Sequence, residues 1–74
     1  MEDFFEYLVE FWKKQTARFA DKERRGWDGW DEIPESEYKK RAMDNLKRGH
    51  YLDCANLCFL AHTVREAKHQ EVAH

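Results

Sequence analysis

The sequence has few of the residues that interrupt a helix, glycine and proline, and few of the cysteines that cross-link a small domain. Its 74 residues include three glycines, one proline and two cysteines. Two cysteines are too few for a disulfide framework, and no apolar run is long enough to span a bilayer. Repeats, low-complexity segments and the alternating pattern of a strand are also missing. These absences exclude a disulfide-stapled fold, a membrane span and a β-rich architecture, which leaves a helical domain.

The two cysteines and the acidic N-terminal residues predict a cytoplasmic protein. Cys54 and Cys58 lie one helical turn apart, where a Cα separation of ~6 Å is within disulfide range but the side-chain directions rarely suit the bond. Reduced thiols are therefore expected. Residues 1–10 carry acidic side chains where a secretory signal carries basic ones.

An excess of charge of one sign is missing as well. The formal net charge is −2, with acids and bases interspersed, so the chain lacks the basic footprint of a sequence-specific nucleic-acid binder. Basic groups at 22–25 and 39–41 alternate with acids, which is typical of a solvated face.

What the chain does have is a surplus of aromatic residues for its length. A single domain over residues 1–74 buries only ~60% of the surface of its unfolded chain, and small domains often compensate by oligomerising. Eleven aromatic residues, three of them Trp, exceed what one three-helix core readily hides. We therefore expect a homo-oligomer such as a homodimer, with aromatic side chains at an interface or in a groove.

Helical periodicity and stop signals divide the chain into three helices. Apolar residues at spacings of three and four predict helix 1 over about 3–25, which ends at Gly26. A thinner apolar stripe predicts helix 2 over about 35–48, and helix 3 over about 51–71 is apolar almost all round its centre. The predicted fold is an all-α, antiparallel three-helix bundle. Since two thin neighbours leave part of helix 3 uncovered, we expect self-association through that helix.

The loop between helices 1 and 2 carries two Trp residues. Trp27 and Trp30 lie among glycines, aspartates and Pro34, and side chains of this size are not left in water. Two interpretations stay open. The loop folds back as a plug over the helices, or its Trp side chains form a wall that faces a ligand.

Helix 3 carries four residues of types that bind zinc. His50, Cys54, Cys58 and His62 follow one another at four-residue spacing. Each such step turns the side-chain direction by about 40°, so all four cannot meet one ion. The alternative is that the cysteines fill the helix core, since cysteine is among the most buried residue types.

A second candidate metal group on helix 3 is acidic. Asp53 and Asn56 lie on nearly the same face, and their oxygens are of the kind that holds hydrated Mg²⁺. The alternative for Asp53 is a helix cap or an ion pair across the bundle, because a lone buried carboxylate is costly.

Three segments carry a resemblance to a known family. They are Gly26-Trp27-Asp28, the Ile-Pro-Glu-Ser-Glu-Tyr start of helix 2 at 33–38, and the third-helix run 49–60 with its acidic residue, small-Ala-Asn and apolar residues. Across about residues 11–66 they resemble the small phage and bacterial proteins related to MazG, of the all-α nucleoside triphosphate pyrophosphohydrolase group. The resemblance implies Mg²⁺ held by Glu-x-x-Glu and Glu-x-x-Asp pairs on successive helices.

Those acidic pairs are incomplete in this chain. The second reads His50-x-x-Asp53, and the segment 39–48, where the first belongs, offers only Asp44. Water activation and leaving-group stabilisation usually need more acidic ligands. The resemblance therefore implies a MazG-like scaffold without hydrolase activity, and no cofactor unless the family's Mg²⁺ chemistry persists.

The hypothesis favoured by these observations is a non-catalytic binding protein of the phage accessory type, which sequesters a nucleotide or inhibits a host protein. Aromatic side chains would stack on a base or a partner surface, and basic ones would meet phosphates or acidic groups. The candidate residues are Trp27, Trp30, Tyr38, Lys39, Lys40 and Arg41.

Two alternative functions stay open. A minimal Mg²⁺-dependent pyrophosphohydrolase would need a dimer, with Asp44, Asp53 and Asn56 at the metal and Glu35 or Glu37 assisting. A helical protein limited to protein–protein contact would use the exposed face of helix 1.

Overall fold

The computed structural model describes the backbone of residues 2–72 and the side chains of residues 3–68. It contains α1 (Glu2–Arg24), a short 3-10 turn (Trp30–Glu32), α2 (Glu35–Lys47) and α3 (Tyr51–Val72). The described range holds no strand, so the predicted all-α class with three helices is confirmed. Each helix begins and ends within one residue of its predicted boundary.

The end of α2 shows why glycine is needed between the helices. Gly49 has φ +77, the left-handed conformation that closes a helix in a Schellman motif. The backbone N–H of Gly49 donates to Leu46 O at 3.1 Å, and that of His50 donates to Asn45 O at 2.9 Å. These bonds satisfy the last carbonyls of α2 and turn the chain directly into α3.

α2 and α3 pack closely and hold the core of the molecule. Tyr38 of α2 and three residues of α3, Leu60, Ala61 and Val64, are buried together. At the N-terminal end of α2, Glu35 accepts a forked ion pair from Arg65 of α3, with N···O distances of 3.1 and 3.0 Å. Of the thin apolar stripe predicted for α2, Tyr38 and Ala42 are buried, whereas Met43 and Leu46 stay 58% and 54% exposed.

α1 joins this pair only through its C-terminal part. Arg18 forms an ion pair with Asp53 of α3, and Phe19 packs on Phe59 with ring centroids 5.4 Å apart. Before Arg18, large apolar side chains stay open to solvent, as Leu8 (52% exposed) and Trp12 (60% exposed) show. The molecule is accordingly elongated, with extents of 44 × 28 × 26 Å.

Self-association through α3 stays a prediction, and the largest exposed apolar surface lies elsewhere. Tyr51 and Phe59 of α3 are 65% and 51% exposed, while most of the other described apolar residues of that helix are buried or half-buried. The N-terminal half of α1 presents more apolar side chains to solvent than α3 does. Within the part of the chain that is described, no helix has the length and apolarity needed to cross a membrane.

Candidate functional site

The chain reversal after α1 orients Trp27. Gly26, at φ +81, closes α1 in a second Schellman motif. The backbone N–H of Gly26 donates to Glu23 O at 3.0 Å, and that of Trp27 donates to Lys22 O at 3.0 Å. The Lys22 ammonium lies 5.0 Å from the Trp27 ring centroid, a cation–π contact. One helical end thus holds both the backbone and the ring of Trp27.

Trp30 is held from the other side of the loop. It begins the 3-10 turn, and its carbonyl accepts a 2.7 Å hydrogen bond from the Tyr38 hydroxyl. Both Trp side chains are half-buried and pack against the core formed by α2 and α3. The loop therefore folds back as a plug, and the same two side chains also form the wall of a groove.

That groove lies between the end of α1, the loop and α3, and has a volume of about 550 Å³. We call it the Trp groove. Its aromatic and aliphatic walls are Phe19, Trp27, Trp30, Phe59 and Leu60. A pocket of this size and character is typical of a ligand or side-chain binding site.

Three carboxylates edge the Trp groove and form what we call the acidic rim. They are Glu23, Asp28 and Asp31, and all three are exposed. None of them forms an ion pair with another of the described side chains. An aromatic wall with free carboxylates around it attracts a cation and repels a phosphate.

The residues predicted to bind a ligand are not brought together. Lys39, Lys40 and Arg41 are exposed on the outer face of α2 and line a shallow surface formed by α2 alone. They share no lining residue with the Trp groove. The predicted combination of stacking Trp side chains and phosphate-binding basic residues in one site is therefore not what the fold forms.

The structure buries Tyr38, which the sequence predicts as a residue that stacks on a ligand. Tyr38 is only 1% exposed and belongs to the core. Burial raises the pKa of its hydroxyl above the ordinary value, with Arg41 opposing and Asp31 adding to the shift. A ring enclosed between α2, α3 and the loop has no face left for a ligand, so its role is structural.

The candidate metal ligands are distributed over two surfaces. Asp53 pairs with Arg18, as the ion-pair alternative predicted, and lines a small cleft of about 230 Å³ together with Asn56. Asp44 pairs with Arg48 on α2 at 3.4 Å and lines the outer surface of that helix. Each carboxylate thus has a guanidinium partner, and the two face different pockets.

Asn56 stands out in the small cleft. It is 8% exposed, and its Oδ1 is buried without a hydrogen bond from any described group. A buried acceptor without a donor lowers the free energy of unfolding, so a substitution of Asn56 is expected to change the stability of the fold.

The zinc-type residues, of which His50 directly precedes α3 and the other three lie on it, also differ in exposure. His50, Cys58 and His62 are exposed and Cys54 is half-buried, and both thiols are free. Within the described residues, no three His, Cys, Asp or Glu side chains come together as a metal-binding group. Desolvation, followed by the charge and hydrogen bond of Cys54, raises the pKa of the Cys58 thiol, so it is a weak nucleophile at neutral pH.

The acidic rim and the role of Phe59 were missed by reasoning from the sequence. Asp28 and Asp31 each follow a Trp in the loop, a repeated Trp-Asp pairing that could have indicated an aromatic site edged by acids. Nothing in the sequence places Phe59 at the Trp groove, because its position there depends on how α3 packs against Phe19 of α1.

Comparison of the chain with protein-family models, with curated proteins and with solved structures finds no match. The relationship to MazG accordingly stays a prediction.

Proposed function

We propose that this chain is a non-catalytic binding protein that engages another protein by receiving a lysine or arginine side chain of that partner in the Trp groove. The observation that supports this is the pairing of an aromatic wall with the unpaired acidic rim. Guanidinium and ammonium groups bind over Trp rings, and nearby carboxylates strengthen the attraction. The chain already forms one such contact, between Lys22 and Trp27.

A protein partner is better supported than a nucleotide. A triphosphate whose base stacked on Trp27 or Trp30 would place its charge near Glu23, Asp28 and Asp31, where like charges repel. Lys22 at the Trp27 ring supplies one positive charge against these three carboxylates. The basic candidates of α2, Lys39, Lys40 and Arg41, lie on another surface of the molecule. On a MazG-like scaffold, the role we propose is the inhibition of a partner protein, as a phage accessory protein would exert it.

The hydrolase alternative has less support. Asp44 and Asp53 are each paired with an arginine and lie in different pockets. Metal-assisted attack on a triphosphate requires several carboxylates around the same ions. A second subunit would have to supply them while both ion pairs were broken.

Fluorescence titration tests the proposal directly, because Trp27 and Trp30 line the groove. The probes are the capped tripeptide Leu-Arg-Leu, its Leu-Glu-Leu counterpart, and ATP. Trp12→Phe serves as the background, since it removes the exposed Trp of α1. We expect a saturable change with the arginine peptide only, because only that probe complements the acidic rim.

Two charge-reversal variants locate the binding surface. Asp28→Lys with Asp31→Lys is expected to weaken binding of the arginine peptide by about tenfold or more, which corresponds to ~1.4 kcal/mol. Lys39→Glu with Lys40→Glu, the matched control on α2, is expected to change it little. ATP binding that depends on Lys39 and Lys40 would instead favour nucleotide sequestration, and peptide binding unaffected at the rim would contradict the proposed site.

A further inference from the structure

The N-terminal half of α1 presents an apolar face that the rest of the chain leaves open. We call it the α1 face. Its members and their exposures are Phe4 62%, Phe5 62%, Leu8 52%, Val9 44% and Trp12 60%. Phe4, Leu8 and Trp12 follow one another at four-residue spacing, so they share one side of the helix, with Phe5 and Val9 beside them. Exposed apolar patches of this kind mark interaction sites.

The charges of α1 are separated along its length. Residues 2–10 carry four acidic side chains and no basic one, whereas residues 13–18 carry three basic side chains and no acidic one. In a parallel pair, each acidic segment would lie against its own copy. In an antiparallel pair, the acidic start of each α1 lies beside the basic residues that begin at Lys13 of the other, and the helix dipoles also oppose favourably.

We propose that the occupant of the α1 face is a second copy of this chain, with the two α1 helices packed antiparallel. The exposed apolar residues run from Phe4 to Trp12, so the two-fold axis lies near Leu8. At that register Asp3 of one copy lies at the level of Lys13 of the other, and the polar side of each helix, which carries Glu6 and Glu10, faces away from the contact. The pairing does not depend on the function proposed for the Trp groove.

The area of the α1 face is sufficient for such a pair. With roughly 150–250 Å² for each aromatic side chain, the five exposed residues offer roughly 500 Å² per copy. Two copies would then bury about 1,000 Å², the lower limit for a specific interface. Because the N-terminal half of α1 extends beyond α2 and α3, two such helices can meet without displacing the core.

A lipid surface is the competing occupant for an aromatic-rich amphipathic helix, and charge argues against it. Helices that lie on membranes combine their apolar face with a basic polar face. Here the polar side of the helix carries Asp3, Glu6 and Glu10, and anionic lipids would repel them. A second copy leaves these carboxylates in water, where Glu10 also pairs with Lys13 of its own helix at 3.5 Å.

Sedimentation equilibrium of the full chain tests the pairing. We expect a mass approaching twice the 9.0 kDa of the chain as its concentration rises. Leu8→Glu puts a charge at the centre of the interface and is expected to raise the dimer dissociation constant by about tenfold or more. Met43→Glu, at a comparably exposed apolar residue of α2 (58%), is the matched control and is expected to leave dimerisation unchanged.

The orientation is tested by cross-linking. In a chain whose Cys54 and Cys58 are replaced by serine, Leu8→Cys is expected to form a disulfide between copies, while Phe4→Cys is not. Cross-linking at both positions would overturn the antiparallel arrangement, since a parallel pair brings every residue beside its own copy.

Two results would overturn the proposal as a whole. One is a monomer at all concentrations, with Leu8→Glu having no effect. The other is co-sedimentation of the monomer with vesicles of phosphatidylcholine and phosphatidylserine that Leu8→Glu abolishes, which would assign the α1 face to a lipid surface.

Discussion

At the scale of single residues, Tyr38 links the core to the loop that carries both Trp side chains. Its ring is buried between α2 and α3, and its hydroxyl donates to Trp30 O at 2.7 Å. One residue thus connects the folding of the helix pair to the shape of the Trp groove. Its removal is therefore expected to affect stability and the groove together.

Tyr38→Phe is expected to cost about 1 kcal/mol of unfolding free energy, the usual contribution of one hydrogen bond. The effect depends on pH, because burial raises the pKa of Tyr38 above its ordinary value of 10.0. The folded state holds this proton more tightly than the unfolded state does, so the stabilisation is complete below pH 10 and is lost as the pH rises through the raised pKa. Urea unfolding between pH 8 and 11 measures it. A wild-type and variant difference that stays constant over that range would contradict the assignment.

Asn56 is a residue whose replacement is expected to stabilise the fold, because its Oδ1 is buried without a donor among the described groups. Asn56→Leu replaces it with an apolar side chain of similar size, beside Leu57 and Leu60. We expect an unchanged or higher melting temperature, by up to about 1 kcal/mol in free energy, because the unsatisfied acceptor disappears. Calorimetry measures the change. A clear loss of stability would show instead that the cleft uses this amide.

Cys58 is expected to react slowly with thiol reagents at neutral pH, although its side chain is exposed. The raised pKa of its thiol keeps the thiolate fraction low. The rate of reaction with iodoacetamide is expected to go on rising above pH 9.0, the ordinary value of the thiol pKa, where the rate of an ordinary cysteine levels off. Cys54→Ala removes the charge and hydrogen-bond contributions but leaves the desolvation, so it is expected to shift the profile towards lower pH only in part.

At the scale of helices and turns, α1 and α2 end in the same Schellman geometry. Gly26 and Gly49 have φ of +81 and +77, and a Cβ added at either would meet no atom within 4 Å. The preference for glycine at both positions is thus conformational and does not come from crowding. Gly26 has a further role, because the turn that it makes also orients Trp27, the next residue.

Gly49→Ala is expected to destabilise the fold by about 1–2 kcal/mol, the cost of a left-handed conformation for a residue with a Cβ. Gly49→Asn is expected to cost less, since asparagine adopts that conformation more readily. Urea unfolding of the two variants measures the order. Equal losses for alanine and asparagine would indicate that the turn had changed its geometry.

At the scale of the whole molecule, the chain is less compact than its length predicts. A compact domain of 74 residues has a radius of gyration of about 11 Å, and this one has 14.1 Å. The difference comes from α1, whose N-terminal half extends away from the helix pair. The core formed by α2, α3 and the loop and the extended half of α1 are therefore expected to differ in local stability.

Hydrogen exchange of the Leu8→Glu variant, which the proposed pairing makes monomeric, measures this difference. Amides of residues 4–15 are expected to exchange first, because few tertiary contacts protect them, and those of α2 and the centre of α3 last. In the wild-type protein at high concentration, residues 4–15 are expected to gain protection from the second copy. Equal protection of both halves of α1 in the monomeric variant would contradict the expected difference in local stability.

The sequence by itself determined the helices, their boundaries and the chain reversals at Gly26 and Gly49, because these depend on local periodicity and on glycine's access to positive φ. Only the tertiary structure decided which side chains meet. Tyr38 lies in the core, the basic residues of α2 lie on a separate face, and Phe59 lies with the Trp side chains at the Trp groove. The first two depend on how α2 packs against α3, and the third depends on the offset at which α1 meets α3. No local pattern specifies either arrangement. The exposed half of α1 follows from the same offset, since α1 contacts α3 near Arg18 and Phe19 and its N-terminal half extends beyond that contact.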